Sequence, residues 1–165
     1  ERVESPSDDW SIFWCAGQVD PNELRNFKPH QRVNKFPKAS ALTLKSNLWT
    51  CFARMHNKFG STHFGFMPET FVLPSQLPQF EDSLHQEVLQ GTRHTWILKP
   101  AAAYCGRGIF LHRTSPSITP STTEEPEVIT DQIRDHKGVA CRYIDPPFLL
   151  DGLKSDIRIY VLVTS

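Results

Sequence analysis

Apolar residues along the chain fall into two rhythms. From Thr43 onward, Leu44, Leu48, Phe52, Met55 and Phe59 recur at spacings of four, four, three and four, and Gly60 follows as a stop. That spacing predicts a helix with Thr43 as N-cap and its stripe in the core, with Lys45, Arg54 and Lys58 lying off the stripe. A second helix is predicted from about Pro78 to Gln90, where Phe80, Leu84 and Val88 come every four residues before Gly91. Elsewhere the pattern is shorter and strand-like. Trp10, Ile12, Phe13 and Trp14 read as an edge strand, Phe64 to Met67 and Phe71 to Leu73 as short extended pieces, and Val139 to Ile144 as a strand. Pro21 marks a helix start, and Gln31 to Pro37 reads as an ordered loop. From Lys154 to Thr164 the chain alternates, with Ile157, Ile159, Val161 and Val163 on one side and Lys154, Asp156, Arg158 and Tyr160 on the other. Three charges on one side, each ~6.6 Å from the next, either line a cleft or form an internal ion ladder; the cleft is favoured because a bound anion would partner them.

The stretch that organises the rest is Thr95-Trp96-Ile97-Leu98-Lys99-Pro100, followed by Ala101 to Gly108 and then Ile109-Phe110. It reads as strand, loop, strand, the layout of a hairpin that covers phosphates. Gly106 and Gly108 allow backbone N–H groups to approach an anion, and Lys99 and Arg107 supply charge beside them. A plain turn has the same signature. The loop lacks the glycine frame and following Lys-Ser/Thr of a Walker site, which disfavours that class and the kinases.

Composition narrows the picture. The chain has 165 residues, 39% hydrophobic and 22% charged, enough for one or two packed units. No apolar run approaches the ~20 residues of a spanning helix, and no secretion signal leads the chain, so a soluble protein is expected. Cys15, Cys51, Cys105 and Cys141 are far apart and form no metal-binding pattern, which reads as free thiols in a reducing compartment. Net charge is zero but uneven. Between Leu24 and Pro68 there is no Asp or Glu, while Arg25, Lys28, Arg32, Lys35, Lys38, Lys45, Arg54 and Lys58 fall within it. A solvated helix face explains this block slightly better than an acidic partner until another observation intervenes. The chain opens on Glu1 and stops just after a strand-like run, which reads as a fragment.

Taken together, Arg32 to Pro37, Trp96 to Pro100, Gly106 to Ile109, Arg142 to Ile144 and Leu150 to Ser165 resemble the tubulin-tyrosine ligase-like proteins, and among them the polyglutamylases more than the tyrosine ligase. The resemblance runs from about Trp10 to the end of the chain. It implies an α+β, ATP-grasp-like fold, truncated here to the N-terminal and central subdomains and the first strand of the C-terminal one. The expected division is a frayed tail at 1–9, an N-terminal basic subdomain at 10–73, a central subdomain at 74–144 with a mobile loop at 115–127, and the start of the C-terminal subdomain at 145–165.

The implied activity is ATP-dependent ligation of an amino acid, glutamate above others, to glutamate side chains of tubulin through an acyl phosphate. By the same resemblance Lys99 contacts the ATP phosphates, and Arg107 and Gly108 belong to the closing loop, with Arg107 also a candidate for the acceptor glutamate. Cys141, Arg142, Tyr143 and Ile144 form the hinge beside adenine, read mainly through backbone groups. Lys154 and Asp156 complete the nucleotide site, and Arg158 is a candidate for a substrate carboxylate. The basic block would face tubulin's acidic C-terminal tail, placing the protein in the cytoplasm on microtubules, cilia or flagella. Mg²⁺ is implied too, its ligands and the amino-acid pocket expected beyond Ser165, so that the fragment alone is expected to be inactive. The sequence departs from the family's usual Gln at Cys141, His at Lys35, Gly at Lys38 and aromatic at Ser155. A non-catalytic tubulin-binding pseudoenzyme is the main alternative. A nucleic-acid binder is a third, for which Phe27, Phe36 and Trp49 only weakly supply stacking residues.

Overall fold

The computed structural model describes residues 10–17, 19–114 and 129–161. The expected tail at 1–9 and the loop at 115–127 lie outside them. In chain order the elements are β1 (Ile12–Phe13), α1 (Pro21–Leu24), β2 (Arg32–Val33), α2 (Ser40–Thr43), α3 (Lys45–Phe59), α4 (Ser61–Phe64), β3 (Thr70–Leu73), α5 (Leu77–Leu89), β4 (Thr95–Pro100), β5 (Phe110–Arg113), α6 (Asp131–Arg134), β6 (Gly138–Arg142), β7 (Leu149–Leu150) and β8 (Leu153–Lys154). Helices and an antiparallel sheet share the chain, an α+β arrangement.

The centre is a four-stranded sheet in the order β3-β6-β4-β5, every neighbouring pair antiparallel. Its register sorts the side chains. Phe71 and Leu73, Ala140, Trp96 and Leu98, and Phe110 share one face through their cross-strand pairs, while Thr70, Cys141, Ile97 and Lys99 share the other. The first face is the core. Phe80 and Leu84 of α5 and Ile129 and Ile133 at α6 close over Trp96, Leu98 and Ala140, all almost fully buried. Phe80 meets Trp96 edge-on at 5.0 Å between ring centroids. Burial of each such side chain stabilises the fold by roughly 1.5–3 kcal/mol, so this layer dominates.

The sequence predicts α5 within a residue or two at each end. Pro78 fits its first turn, where no intrahelical partner for an N–H is lost, and Gly91 at φ 65 ends it. The strands at 71–73, 95–100 and 139–142 also stand where the pattern puts them. Pro21 opens α1, with Asp20 accepting from the Asn22 N–H at 2.9 Å as its cap.

Helix α3 corrects two expectations. Thr43 lies in the separate turn α2, and the extended Leu44 (ψ 126) separates the two helices without a side-chain cap. The apolar stripe is also only partly core. Phe52 is buried, but Leu48, Met55 and Phe59 are 37%, 40% and 45% exposed. Within the sheet the helix touches β3 and β6, and Phe52 packs among the rings of Trp49, Phe64 and Phe66.

Three smaller differences follow from context. Arg32 and Val33, expected in a loop, pair in parallel with Ile12 and Phe13, and Asn34 anchors the pair by exchanging hydrogen bonds with the Cys15 backbone at 2.8 and 3.0 Å. Phe64, expected to be extended, ends the helical turn α4. The long strand expected from Lys154 to Thr164 is a strand only at Leu153–Lys154, where β8 pairs with β7 around Asp151 (φ 50) and Gly152 (φ 79), the Asp-Gly signature of a tight hairpin. No described strand pairs with residues 155–161, so alternation alone does not make them a sheet; residues 162–164 lie outside the described part.

Candidate functional site

On the second face of the sheet lies a cleft of about 540 Å³, bordered by Met67, Pro68 and Thr70 before and on β3, Ile97 and Lys99 on β4, Cys141 to Ile144 at the end of β6, and Pro147, Phe148, Lys154 and Ser155 around the β7–β8 hairpin. Among the described residues no carboxylate borders it. An apolar floor with cations at its edge and no acid suits a flat apolar group carrying a negative tail.

Six residues expected from the sequence meet here: Lys99, Cys141, Arg142, Tyr143, Ile144 and Lys154. Alternation on β4 places Lys99 on the cleft face while Trp96 and Leu98 fill the core. The Arg142 N–H donates to the Glu69 carbonyl (2.8 Å) and the Tyr143 N–H to that of Thr95 (2.7 Å), and the chain then leaves the sheet at Ile144. The Lys154 ammonium donates to the Tyr143 hydroxyl at 2.9 Å and sits 5.1 Å from the centre of its ring. The hydroxyl, as acceptor, holds the Lys154 pKa above the ordinary lysine value, with Asp156 adding a smaller push the same way.

Arg107, Gly108, Asp156 and Arg158 lie outside the cleft lining. Asp156 and Arg158 are exposed beyond β8. Arg107 and Gly108 belong to the β4–β5 connection, where the Arg107 guanidinium lies 5.3 Å from the Tyr104 ring centre. In this loop Cys105 (φ 54), Gly106 (φ 72) and Gly108 (φ 68) are all left-handed. The N–H groups of Arg107 and Ile109 close turns onto Tyr104 and Gly106, whereas among the described residues those of Gly106 and Gly108 meet no acceptor.

Sequence reasoning missed the anchor of this loop. The Lys45 ammonium, at the start of α3, donates to the Pro100 and Ala103 carbonyls at 3.1 and 2.9 Å, and the Lys45 N–H reaches the Ala101 carbonyl at 3.4 Å. Its place among eight basic residues hid it; nothing in its own neighbourhood sets it apart. Thr70 was also missed, although its cross-strand partner Cys141 was expected at the site. Lys38 stands at φ 58, a left-handed backbone that glycine adopts more readily. The groups present fit a nucleoside triphosphate. Metal is different: among the described residues no group of three or more His, Cys, Asp or Glu side chains could hold an ion.

The model of the tubulin-tyrosine ligase family matches residues 23–165. The human tubulin polyglutamylase TTLL5 is 34% identical over 164 residues, 99% of this chain and 11% of that protein. A probable beta-tubulin polyglutamylase of Tetrahymena thermophila is 34% identical over 94% of this chain and 12% of its own length. Human tubulin monoglutamylase TTLL4 is 32% identical over 99% of this chain and 12% of its own length. The chain thus spans about a tenth of each of these relatives.

Proposed function

We propose, from the premise that this chain belongs to the tubulin-tyrosine ligase family, that it supplies the nucleotide-holding part of an ATP-dependent ligase that adds glutamate to glutamate side chains of tubulin. In this reading its sheet and hairpin are the ATP-grasp frame. The observation that carries it is the convergence in one cleft, with no carboxylate among its described lining residues, of Lys99 from β4, the Cys141–Ile144 segment from β6 and Lys154 from β8. The apolar floor takes the base, backbone groups at Tyr143 and Ile144 read it, and Lys99 and Lys154 offset the phosphate charge. Gly106 and Gly108 offer their N–H groups from the loop, and Arg107 swings from Tyr104 toward the phosphates or the acceptor carboxylate. That carboxylate attacks the terminal phosphorus and releases ADP; the amine of free glutamate then displaces phosphate from the acyl carbon and loses a proton. Mg²⁺ would screen the phosphate charge, but among the described residues no group of three or more His, Cys, Asp or Glu side chains fits it.

The division at 10–73, 74–144 and 145–165 belongs to the same proposal. Its partner is the acidic tail of tubulin, which places the protein on microtubules. No helix among the described residues is long and apolar enough to cross a membrane. Arg54 and Lys58 on α3 are exposed and no carboxylate within α3 offsets them, which also favours a second reading as a tubulin-binding module without catalysis. Thermal unfolding with and without Mg-ATP separates the two. ATP should raise the melting temperature, and Lys99→Ala and Lys154→Ala should abolish the rise. A folded wild-type chain that shows no rise supports the binding module.

A further inference from the structure

We infer that Arg142, which borders the cleft, is a positioning residue for the Cys141–Ile144 hinge, its guanidinium acting from the Trp96 side of the sheet. Its link to nucleotide rests on the reading above. Arg142 is the cross-strand partner of Trp96, and Trp96 is wholly buried in the α5 layer. The pair shares a face, so the guanidinium turns away from Lys99 and lies 5.5 Å from the Trp96 ring centre. There its Nη2 meets the Glu69 carboxylate at 2.7 Å and approaches Glu87 at 3.9 Å.

This is an anchor with a fixed base. Glu87 is buried on α5 and accepts from the Trp96 indole N–H at 3.1 Å and from the His94 N–H at 3.3 Å, while His94 Nδ1 lies 3.0 Å from it. Glu69 holds Arg142 twice, through its carbonyl to the Arg142 N–H at 2.8 Å and through its carboxylate to the guanidinium. Arg142 is therefore clamped at main chain and side chain, one residue before the Tyr143 that carries Lys154. A ligand's arginine would face the cleft; this one fixes where the hinge leaves the sheet.

The test uses the whole chain with Arg142→Met, Arg142→Lys, Glu69→Gln and the Arg142→Met/Glu69→Gln double variant. Amide hydrogen exchange at Tyr143 and Ile144 is followed by NMR beside that of Leu84 and Leu98, and the Kd for a non-hydrolysable ATP analogue is measured by calorimetry. Arg142→Met and Glu69→Gln should each speed hinge exchange about threefold to tenfold, the scale of a partly exposed charge pair with an aromatic contact. Protection at Leu84 and Leu98 should hold, the double variant should go little further, and Arg142→Lys should recover part of the effect. Kd should weaken in step with hinge exchange. If Arg142→Met weakens Kd while Glu69→Gln changes neither readout, Arg142 is a direct ligand and the inference fails. Unchanged hinge exchange in both variants, or loss of protection throughout the core, also overturns it. If the wild-type chain binds no analogue but hinge exchange responds as expected, the positioning role stands and the nucleotide reading falls.

Discussion

Three glycines near the β4–β5 loop separate two reasons for needing glycine, and alanine at each should show them as different losses of stability. Gly106 has φ 72, and a Cβ there would meet nothing within 4 Å. Only the left-handed backbone is penalised, roughly 1–2 kcal/mol, partly offset by about 0.4–1 kcal/mol from the stiffer unfolded chain. Gly108 combines φ 68 with the Pro100 ring edge, whose Cγ would lie 2.9 Å from the new carbon. A ring edge can yield by a few tenths of an ångström, so the loss should exceed that at Gly106 by about 1 kcal/mol or more. Gly138 has no positive φ, yet its Cβ would run into the Lys99 carbonyl, with Pro100 Cα at 2.8 Å and His136 Nε2 at 2.9 Å. Most of those atoms are backbone of the paired strand, so β4 and β6 must part and weaken their ladder. A loss of roughly 3 kcal/mol or more is expected, a large share of the ~5–15 kcal/mol that holds a domain together. Urea unfolding of the three variants measures this, with midpoints compared at constant slope. If Gly138→Ala lost less stability than Gly106→Ala, close packing of β6 on β4 would be refuted as the reason for this glycine.

Lys45→Met should loosen the β4–β5 connection while leaving α5 intact, because the Pro100 and Ala103 carbonyls lose a charged donor; hydrogen exchange at residues 101–109 should rise, with an overall loss of about 1–3 kcal/mol. Trp96→Phe removes the indole donor to buried Glu87 and should lower stability by about 2 kcal/mol or more in urea unfolding. Tyr143→Phe should bring the Lys154 pKa down toward the ordinary lysine value, read by NMR titration of its side chain. Because the folded-state pKa is the raised one, the contribution of this pair is present below the ordinary lysine pKa and lost as pH rises through the raised value; Tyr143→Phe should flatten that alkaline decline.

Much of the central sheet and of α5 was legible because those segments obey one rule at a time. Phe80 and Leu84 repeat at helical spacing and both are buried. Trp96 and Leu98 alternate with Ile97 and Lys99, so β4 declares its two faces. The stripe of α3 obeys the same rule as that of α5 but has less to pack against, and periodicity cannot report how much surface awaits a helix. Residues 155–161 show the matching limit for strands: alternation is necessary for a two-faced strand, but a partner must exist. At the site, Lys99 and the hinge were visible through local pattern and family likeness. Lys45 was not, because its partners are carbonyls more than fifty residues away, and carbonyls leave no mark in a sequence. Which side of the sheet the Arg142 guanidinium takes was not legible, because only its register with Trp96 supplies it.

Helix α3 grips the loop with Lys45 at one end and presents Lys58 close to the other. Thirteen steps of helix separate those residues, about 20 Å, a distance an extended peptide crosses in about six residues at ~3.4 Å each. The helix is thereby a ruler. On the function proposed above, an extended acidic chain shorter than that would touch one end or the other, while a longer one could rest on Lys58 and still reach the loop.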